Sequence, residues 1–365
     1  MARGGTTGLR RGWTTGACAA AAARAAYTAL LTRRFPDPVT LHLPRGGSAR
    51  FALALRELDA DRARAGIIKD AGDDPDVTHG ALVIAEIART APGAGVVFAA
   101  GPGVGTITRP GLALAVGEPA INPAPRAMIR ESLAEVAAAH GSPPPDLVVT
   151  IAIPGGARLA EKTMNGRLGI VGGLSVLGTT GIVVPYSCAA WVHAIHRGID
   201  IARAAGLDHI AAATGATSEH AVQRLYDLPE HALIDMGDFV GGMLKYLRSH
   251  PVPRLTIAGG FGKLAKMALG ARDLHSARSR VDPAALAAML AELGADAESI
   301  AAARHAAGAA EILALAGDRR TALAAAVAAR ARTAALATLS GKTAVEVVVI
   351  DRDGSLLAHA GAGSG

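Results

Sequence analysis

The densest chemistry in the chain lies at 69-KDAGDDPDVTHGA-81, where Asp70, Asp73, Asp74 and Asp76 share thirteen residues with Lys69, His79, one proline and two glycines. Carboxylates so placed can hold a metal, take a proton or face a cation. A calcium loop alternates its acids as D-x-D-x-D-G, and here the alternation fails. A zinc site wants more His or Cys nearby, and the two cysteines, Cys18 and Cys188, lie far off. No metal bound by the protein itself is expected. The stretch follows an apolar run, so it reads as a catalytic or ligand-ordering loop at a strand end. Asp70, Asp73 and Asp74 are then the candidate catalytic carboxylates, as proton acceptors or as partners of a cationic sulfonium. Lys69 and His79 beside them are candidates for substrate contact. The plainer alternative is an Asx-capped turn leading into a helix at Val77–Thr78, with acids favouring its start. Both readings can hold for different aspartates.

Two glycine-dense stretches come next, 101-GPGVGTITRPGLALAVGEPAINPAPR-126 and 154-PGGARLAEKTMNGRLGIVGGLSVLGTTGIV-183. Glycines let backbone amides approach a ligand closely. Arg109, Arg126, Lys162 and Arg167 sit within or beside these loops. Guanidinium groups grip carboxylates in a two-pronged fork. The combination suggests a site for a large molecule carrying several carboxylates, against the plain alternative of solubilising surface charge.

The second half offers strand ends. Open parallel sheets bind ligands beyond the carboxyl ends of their strands. Those ends are Thr214-Gly215, Asp235 and Gly259-Gly260, and Asp235 follows Thr214 by 21 positions, close to the spacing that puts an acid on a ribose hydroxyl. The same arrangement suits the ribose of S-adenosylmethionine. The stretch 214-TGATSEH-220 lacks the three-glycine fingerprint of a nicotinamide or flavin site, and ordinary βα turns remain the alternative. In 259-GGFGKLAK-266 a P-loop would need glycine at Ile257 and a hydroxyl at Leu264, so nucleoside triphosphate hydrolysis is disfavoured. What remains is a helix start at Gly259, Gly260 and Gly262 with Lys263 beside it, a fair site for an anion. The stretch 349-VIDRDGS-355 imitates an aspartyl nucleophile but reads better as a hairpin turn.

These residues need elements to hold them. The pattern predicts a helix over 15–32, then strands at 39-VTLHLP-44, 49-ARFALALREL-58 and RARAGIIKD ending at Asp70. A helix is expected near 79–90, strands at 95–101, 111–117 and 147–153, and a helix over 123–139 with Pro123 and Pro125 in its first turn. This is an α+β domain over 1–190 carrying the glycine-rich substrate loops. Residues 191–365 alternate strand, loop and helix, the signature of an α/β domain with a parallel, Rossmann-like sheet, here with S-adenosylmethionine contacts expected and a helical C-terminal region after Asp282. Its strands are expected at 207–215, 232–235, 254–258 and 344–351. Its helices begin at Ser218, at 238–249 and after the 259–263 loop.

Composition narrows the class. Of 365 residues, 50% are hydrophobic but only 3% aromatic, so the core must be built from Ala, Val, Leu and Ile and no platform for stacking nucleic-acid bases is expected. Net charge is +6 without a basic run, which suits an anionic small molecule. Only six of the 37 basic residues are lysines, and Lys69, Lys162 and Lys263 fall in the stretches above. Arg10-Arg11 before an apolar run imitates an export signal, but Arg24 interrupts the run and Thr14-Thr15-Gly16 reads as a helix start. No membrane partner and a cytoplasmic, reducing location are expected. The sequence does not decide between a monomer and a homo-oligomer.

The strings 11-RGWTTGACAAAA-22, 69-KDAGDDPDVTHGA-81, 101-GPGVGTITRPGL-112, 117-GEPAINPAPR-126, 162-KTMNGRLGIVGGLSVLGTTGIV-183, 237-GDFVGGML-244 and 262-GKLAK-266 resemble the CbiD family, from about residue 8 to about 300. The chain departs from that family's usual strings at Val184, Cys188, Gly260 and 273-DLHS-276. The resemblance implies a cobalt-precorrin-5B C(1)-methyltransferase of the anaerobic-type route to cobalamin. Such an enzyme moves a methyl group from S-adenosylmethionine to C-1 of a cobalt-corrinoid precursor, giving cobalt-precorrin-6A. The acetate and propionate groups of that substrate would account for the arginines, and His79 or His275 could meet its cobalt. The rival readings are a noncatalytic carrier of corrinoid precursors and, less well supported, a phosphoryl-transfer enzyme.

Overall fold

A helix surrounded by protein on nearly all sides must be thin, and alanine makes it so. Helix α1 (Thr15–Thr32) buries 14 of its 18 residues, nine of them in the run Thr15–Ala23. It starts where Thr14 Oγ1 accepts from the Ala17 amide at 3.1 Å and stops at Arg33, whose left-handed backbone (φ 60°) ends the helix. The structure, a computed structural model, describes residues 8–339 and 341–361. Its architecture mixes α and β, in two units, Met1–Ser187 and Cys188–Gly365.

In the first unit α1 packs on a five-stranded sheet and on α2 (Pro123–Ala139), whose first turn holds Pro123 as expected. The strands are β1 (Leu55–Leu58), β2 (Arg62–Ile68), β3 (Leu82–Arg89), β4 (Val96–Ala100) and β5 (Leu147–Ala152), in the order β1-β2-β3-β5-β4. Only the β5–β4 pair is parallel. The helix expected near 79–90 is in fact β3. Its Val83, Ala85 and Ile87 are fully buried at spacing two and join the core cluster that contains α1. The expected strand at 111–117 is irregular chain instead. Gly111 and Gly117 there have φ of 105° and 91°, and Leu114 turns in to a small cluster with Ile107, Ala120 and Ile170. The expected helix start at Val77–Thr78 is a turn, and the segment 49–58 is two strands, Ser48–Phe51 and β1.

The second unit begins with α3 (Cys188–Ala204), which the sequence reading missed although Ile195, Ile199 and Ala202 mark one buried face. Then come β6 (His209–Ala213), α4 (Ala216–Tyr226), β7 (Leu233–Asp235), α5 (Val240–Ser249), β8 (Arg254–Gly260) and α6 (Phe261–Ala268). Helices α7 (Pro283–Glu292), α8 (Ala297–His305), α9 (Ala309–Leu315) and α10 (Arg320–Leu336) precede β9 (Ala344–Ile350) and β10 (Leu356–Ala360). The sheet order is β7-β6-β8-β9-β10, parallel except for the terminal β9–β10 hairpin. Parallel pairing aligns the C-terminal ends of β6, β8 and β9, so Ala213, Ala258 and Val348 lie in register.

A polar set lies at the other end of this sheet, with Thr256 and Glu346 buried and His209 and Arg254 half-buried. His209 Nε2 lies 2.8 Å from Thr256 Oγ1, which lies 3.2 Å from Glu346 Oε2, and Arg254 pairs with the same carboxylate at 3.0 Å. The Thr256 hydroxyl has one proton, and it goes to the carboxylate. The hydroxyl therefore accepts from His209 Nε2–H, which fixes the ring's tautomer. Burial, helped by the Arg254 charge, pushes His209 from 6.5 down to about 4 despite Glu346. The unfolded chain therefore takes up that proton first as pH falls. Stability contributed by the neutral, half-buried His209 should be present above about 6.5 and drain away as pH drops toward about 4. Thermal midpoints measured across that window should fall with pH in the wild type and fall less in His209→Gln. Parallel curves for the two proteins would contradict the assignment.

Candidate active site

The acidic stretch is a loop that closes on itself and on the chain's start. Past β2, Lys69 turns inward with 1% exposure, and its Nζ meets Asp76 Oδ2 at 2.6 Å. Asp76 also accepts from the Thr78 amide at 2.7 Å and hydroxyl at 2.6 Å. Burial pushes this carboxyl up, but the bonds from Lys69 and Thr78 outweigh it and leave it below the usual range. The Lys69 amide and carbonyl close the loop through Ala81 and Gly80. Lys69 is thus withdrawn from the substrate-contact role expected of it. A charge at that depth needs its partner inside the protein.

The three candidate carboxylates are each engaged. Asp70 takes both terminal nitrogens of the Arg10 guanidinium and the Gly72 amide at 2.9 Å. The Arg10 hydrogen bonds, then the Gly72 amide, hold it down to about 2, which makes it a weak proton acceptor near neutral pH. Asp73 accepts from the Arg10 amide at 2.6 Å, and its own amide donates to the Arg10 carbonyl at 2.9 Å. Asp74 accepts at 2.8 Å from the amide of Tyr186, a non-glycine residue held at φ 55°. His79 is exposed, and its Nδ1 accepts from the Ala71 amide at 3.1 Å. The loop is first of all an ordering device that straps residues 10–13 and 186 to a strand end.

The two glycine loops lie against each other. Gly103–Val104 pairs in parallel with Gly173–Leu174, and Thr106–Ile107 runs antiparallel to Ile170–Val171. Further amides close the seam: Gly105 to Leu174, Thr108 to Gly169 and Val176 to Ala120. Many of the amides expected to face a ligand are thus spent inside the loops. Arg126 is spent too. It pairs with Glu118 at 2.9 Å, donates to the Ile121 and Pro119 carbonyls and lies over the Phe98 ring, which removes it from the expected substrate set. Lys162 is exposed, and Arg109 and Arg167 are half-buried. The Arg109 stem crosses Gly169, where a Cβ would come within 2.7 Å of it.

In the second unit a cavity of about 750 Å³ opens at the C-terminal ends of β6, β8 and β9. Thr214, Gly215 and the first turn of α4 form one wall, and Gly260, Gly262 and Lys263 at the start of α6 form another. Neither Gly215 nor Gly260 supplies a side-chain cap, so the first-turn amides of both helices keep their donors for a ligand. Gly259 lies beneath. A Cβ there would sit 2.8 Å from Thr214 Oγ1, so its part is to let β8 pass Thr214. Lys263 reaches the Thr214 carbonyl at 2.8 Å and Asp238 at 3.0 Å, which ties α6 to the end of β6 and leaves less of its charge for a ligand. Asp235 ends the edge strand β7, receives the Trp191 indole N–H on its carbonyl at 3.2 Å and does not line this cavity. The sequence reading missed Arg320, Asp351 and Arg352, which complete the wall with Leu313, Ala314 and Ile350. Their place follows from the parallel pairing of β9 with β8, which brings the C-terminal end of β9 to the ligand side and which a sequence does not display.

Among the described residues no cluster of three or more His, Cys, Asp or Glu is placed to hold a metal ion, and no helix is long and apolar enough to cross a membrane. The strap makes a testable demand. A Cβ on Gly72 (φ 68°) would lie 2.1 Å from the Arg10 carbonyl oxygen, whereas Gly80 (φ 76°) faces open space. Gly80→Ala should cost about 1–2 kcal/mol through backbone strain alone. Gly72→Ala should cost roughly twice that or more and lower the thermal midpoint further. Equal losses in urea or thermal melts would show that the strap contributes nothing.

A family model described as CbiD matches residues 2–185, and one described as the CbiD C-terminal domain matches residues 273–361. Relatives named cobalt-precorrin-5B C(1)-methyltransferase match along almost their whole length. That of Paramagnetospirillum magneticum is 57% identical over 353 residues, covering 96% of this chain and 98% of its own. That of Methylorubrum extorquens is 58% identical over 354 residues, with 97% and 98% covered. That of Brucella anthropi is 56% identical over 352 residues, with 96% and 95% covered. A solved structure, described as cobalamin biosynthesis protein (cbiD) from Archaeoglobus fulgidus, is 29% identical, covers 74% of this chain and 83% of that one, and has a TM-score of 0.40. Two family models and identities above one half along nearly the whole chain place it plainly: the chain belongs to the CbiD family.

Proposed function

We propose that this chain is a cobalt-precorrin-5B C(1)-methyltransferase, which methylates C-1 of its cobalt-corrinoid substrate in cobalamin biosynthesis. The observation that carries this is the 55–58% identity, over nearly the full length, to relatives of that name. S-adenosylmethionine is the donor in this reading. Its methyl carbon bonds to the ring carbon as the carbon–sulfur bond breaks, the electron pair stays on sulfur, and a neutral thioether leaves.

The second unit suits the donor. Its sheet, read as Rossmann-like, ends in a cavity of about 750 Å³, within the roughly 300–1,000 Å³ usual for ligands of that size. Thr214, Gly215, Gly260 and Gly262 line it, and two glycine-capped helix starts offer amides to a carboxylate. Leu313, Ala314 and Ile350 supply apolar wall for an adenine ring. The first unit suits the corrinoid. Arg109, Lys162 and Arg167, set among the glycine loops, would grip its carboxylates, and the 69–81 loop, with His79 exposed beside Asp70, would order one side of the site. Methyl transfer asks little covalent help of the protein. Holding carbon and methyl in line can lower the barrier by about 7–11 kcal/mol. Where a proton must leave the product, Asp70 is a poor acceptor, since Arg10 holds it at about 2, and the carboxylates of Asp73 and Asp74 in the same loop remain the candidates. Such an enzyme would work in the cytoplasm, as a monomer or a homo-oligomer.

The test is anaerobic incubation with cobalt-precorrin-5B and methyl-deuterated S-adenosylmethionine. The product should gain one labelled methyl group at C-1, and an unlabelled substrate after many enzyme equivalents of time would discard the proposal. In the same assay Arg109→Ala and Lys162→Ala should each raise KM for the corrinoid by about 3–10-fold, the scale of one charge-assisted contact, with kcat changed less than about twofold. A lowered kcat at unchanged KM would contradict a gripping role.

A further inference from the structure

The cavity of the second unit carries more information than its size. Its lining includes three cationic side chains, Lys263, Arg320 and Arg352, and a single carboxylate, Asp351. Lys263 is committed to Thr214 and Asp238. Arg320 pairs with Asp351 Oδ2 at 2.5 Å, and the Arg352 amide donates to Asp351 Oδ1 at 2.8 Å. The Arg352 guanidinium is exposed and makes no ion pair among the described residues. Asp351 stands one residue past β9, in a turn fixed by its own amide on the Ser355 carbonyl and by the Gly354 amide on its carbonyl. That turn leans on α4, since a Cβ on Gly354 would lie 3.7 Å from the Thr217 methyl. Its carboxylate is therefore held at one place on the rim, with each oxygen using one of its acceptor sites and keeping another.

We infer that Asp351 reads the amino-acid tail of the methyl donor by accepting from its α-ammonium, with Arg320 as the residue that positions it. The inference rests on S-adenosylmethionine being the ligand of this cavity. Charge fixes the orientation. The tail ends in a carboxylate and an ammonium on one carbon. The carboxylate goes to the uncapped helix starts at Gly215 and Gly260 and to Arg352, where positive charge and free donors converge. The ammonium then needs an acceptor close by, and Asp351 is the one carboxylate of the lining, with an acceptor site left on each oxygen. The tail, not the adenosine, would thus decide between the donor and other adenosyl compounds.

Calorimetry on the full chain can separate the parts. The probes are S-adenosylhomocysteine, its deamino analogue, and 5′-methylthioadenosine, which keeps adenosine and sulfur but has no amino-acid tail. Wild type should bind the deamino analogue at least tenfold more weakly than S-adenosylhomocysteine, a measurement that needs no variant to fold. Asp351→Asn should weaken S-adenosylhomocysteine tenfold or more and leave 5′-methylthioadenosine within twofold. Arg320→Gln should produce a smaller loss with the same selectivity. Equal affinities for the amino and deamino forms, or equal losses for the tailed and tailless probes, would overturn the assignment. If wild type transfers methyl while Asp351→Asn binds S-adenosylhomocysteine as tightly as wild type does, this inference fails alone. If wild type transfers no methyl from S-adenosylmethionine, the reading beneath it fails too.

Discussion

Parallel pairing of β8 with both β6 and β9 is the constraint on which the candidate donor site depends. Three strands running the same way end side by side, and the chain must leave each through a turn or helix start on the same edge. Glycine at 215 and 260 makes two of those exits tight and side-chain-free, so α4 and α6 begin with their amides turned to one space. The third exit, after β9, brings the Asp351 turn to the same rim. None of this needs a dedicated motif. It follows from strand direction, helix polarity and the absence of a side chain at two positions.

The first unit solves a different problem. Its buried helix α1 leaves little room for polar side chains, so the charged residues of the 69–81 loop gather at one strand end and satisfy one another. Lys69 finds Asp76, Asp70 finds Arg10, and Asp74 holds the strained backbone of Tyr186. A loop so fully self-bonded is rigid, which is what a site that orients a large substrate requires. The glycine loops follow the same rule, since their seam consumes amides that might have faced a ligand and fixes where Arg109 and Lys162 stand.

How much of this the sequence disclosed varies with the kind of signal. Local capping chemistry was legible: Thr14 and Pro123 mark the starts of α1 and α2 at the expected residues. Period was harder. The segment 82–89 carries Leu, Ala and Glu, which favour helix, yet Val83, Ala85 and Ile87 alternate, and burial under α1 settles it as a strand. Across 111–117 the alternation was genuine but two glycines at positive φ break it. Charge was visible and depth was not. Lys69 and Arg126 looked like substrate contacts because a sequence shows the ammonium and the guanidinium but not the partners that absorb them. The turn at Asp351 was recognised as a turn, and its place on a ligand-facing rim depended on the direction of β9, which pairing alone reveals.

The most direct measurement is a crystal structure of the full chain with S-adenosylhomocysteine bound. Ligand density is expected in the second unit, with the ligand's carboxylate at the Gly215 and Gly260 helix starts and its adenosine along Leu313, Ala314 and Ile350. Density for the ligand elsewhere, with the ends of β6, β8 and β9 unoccupied, would contradict it.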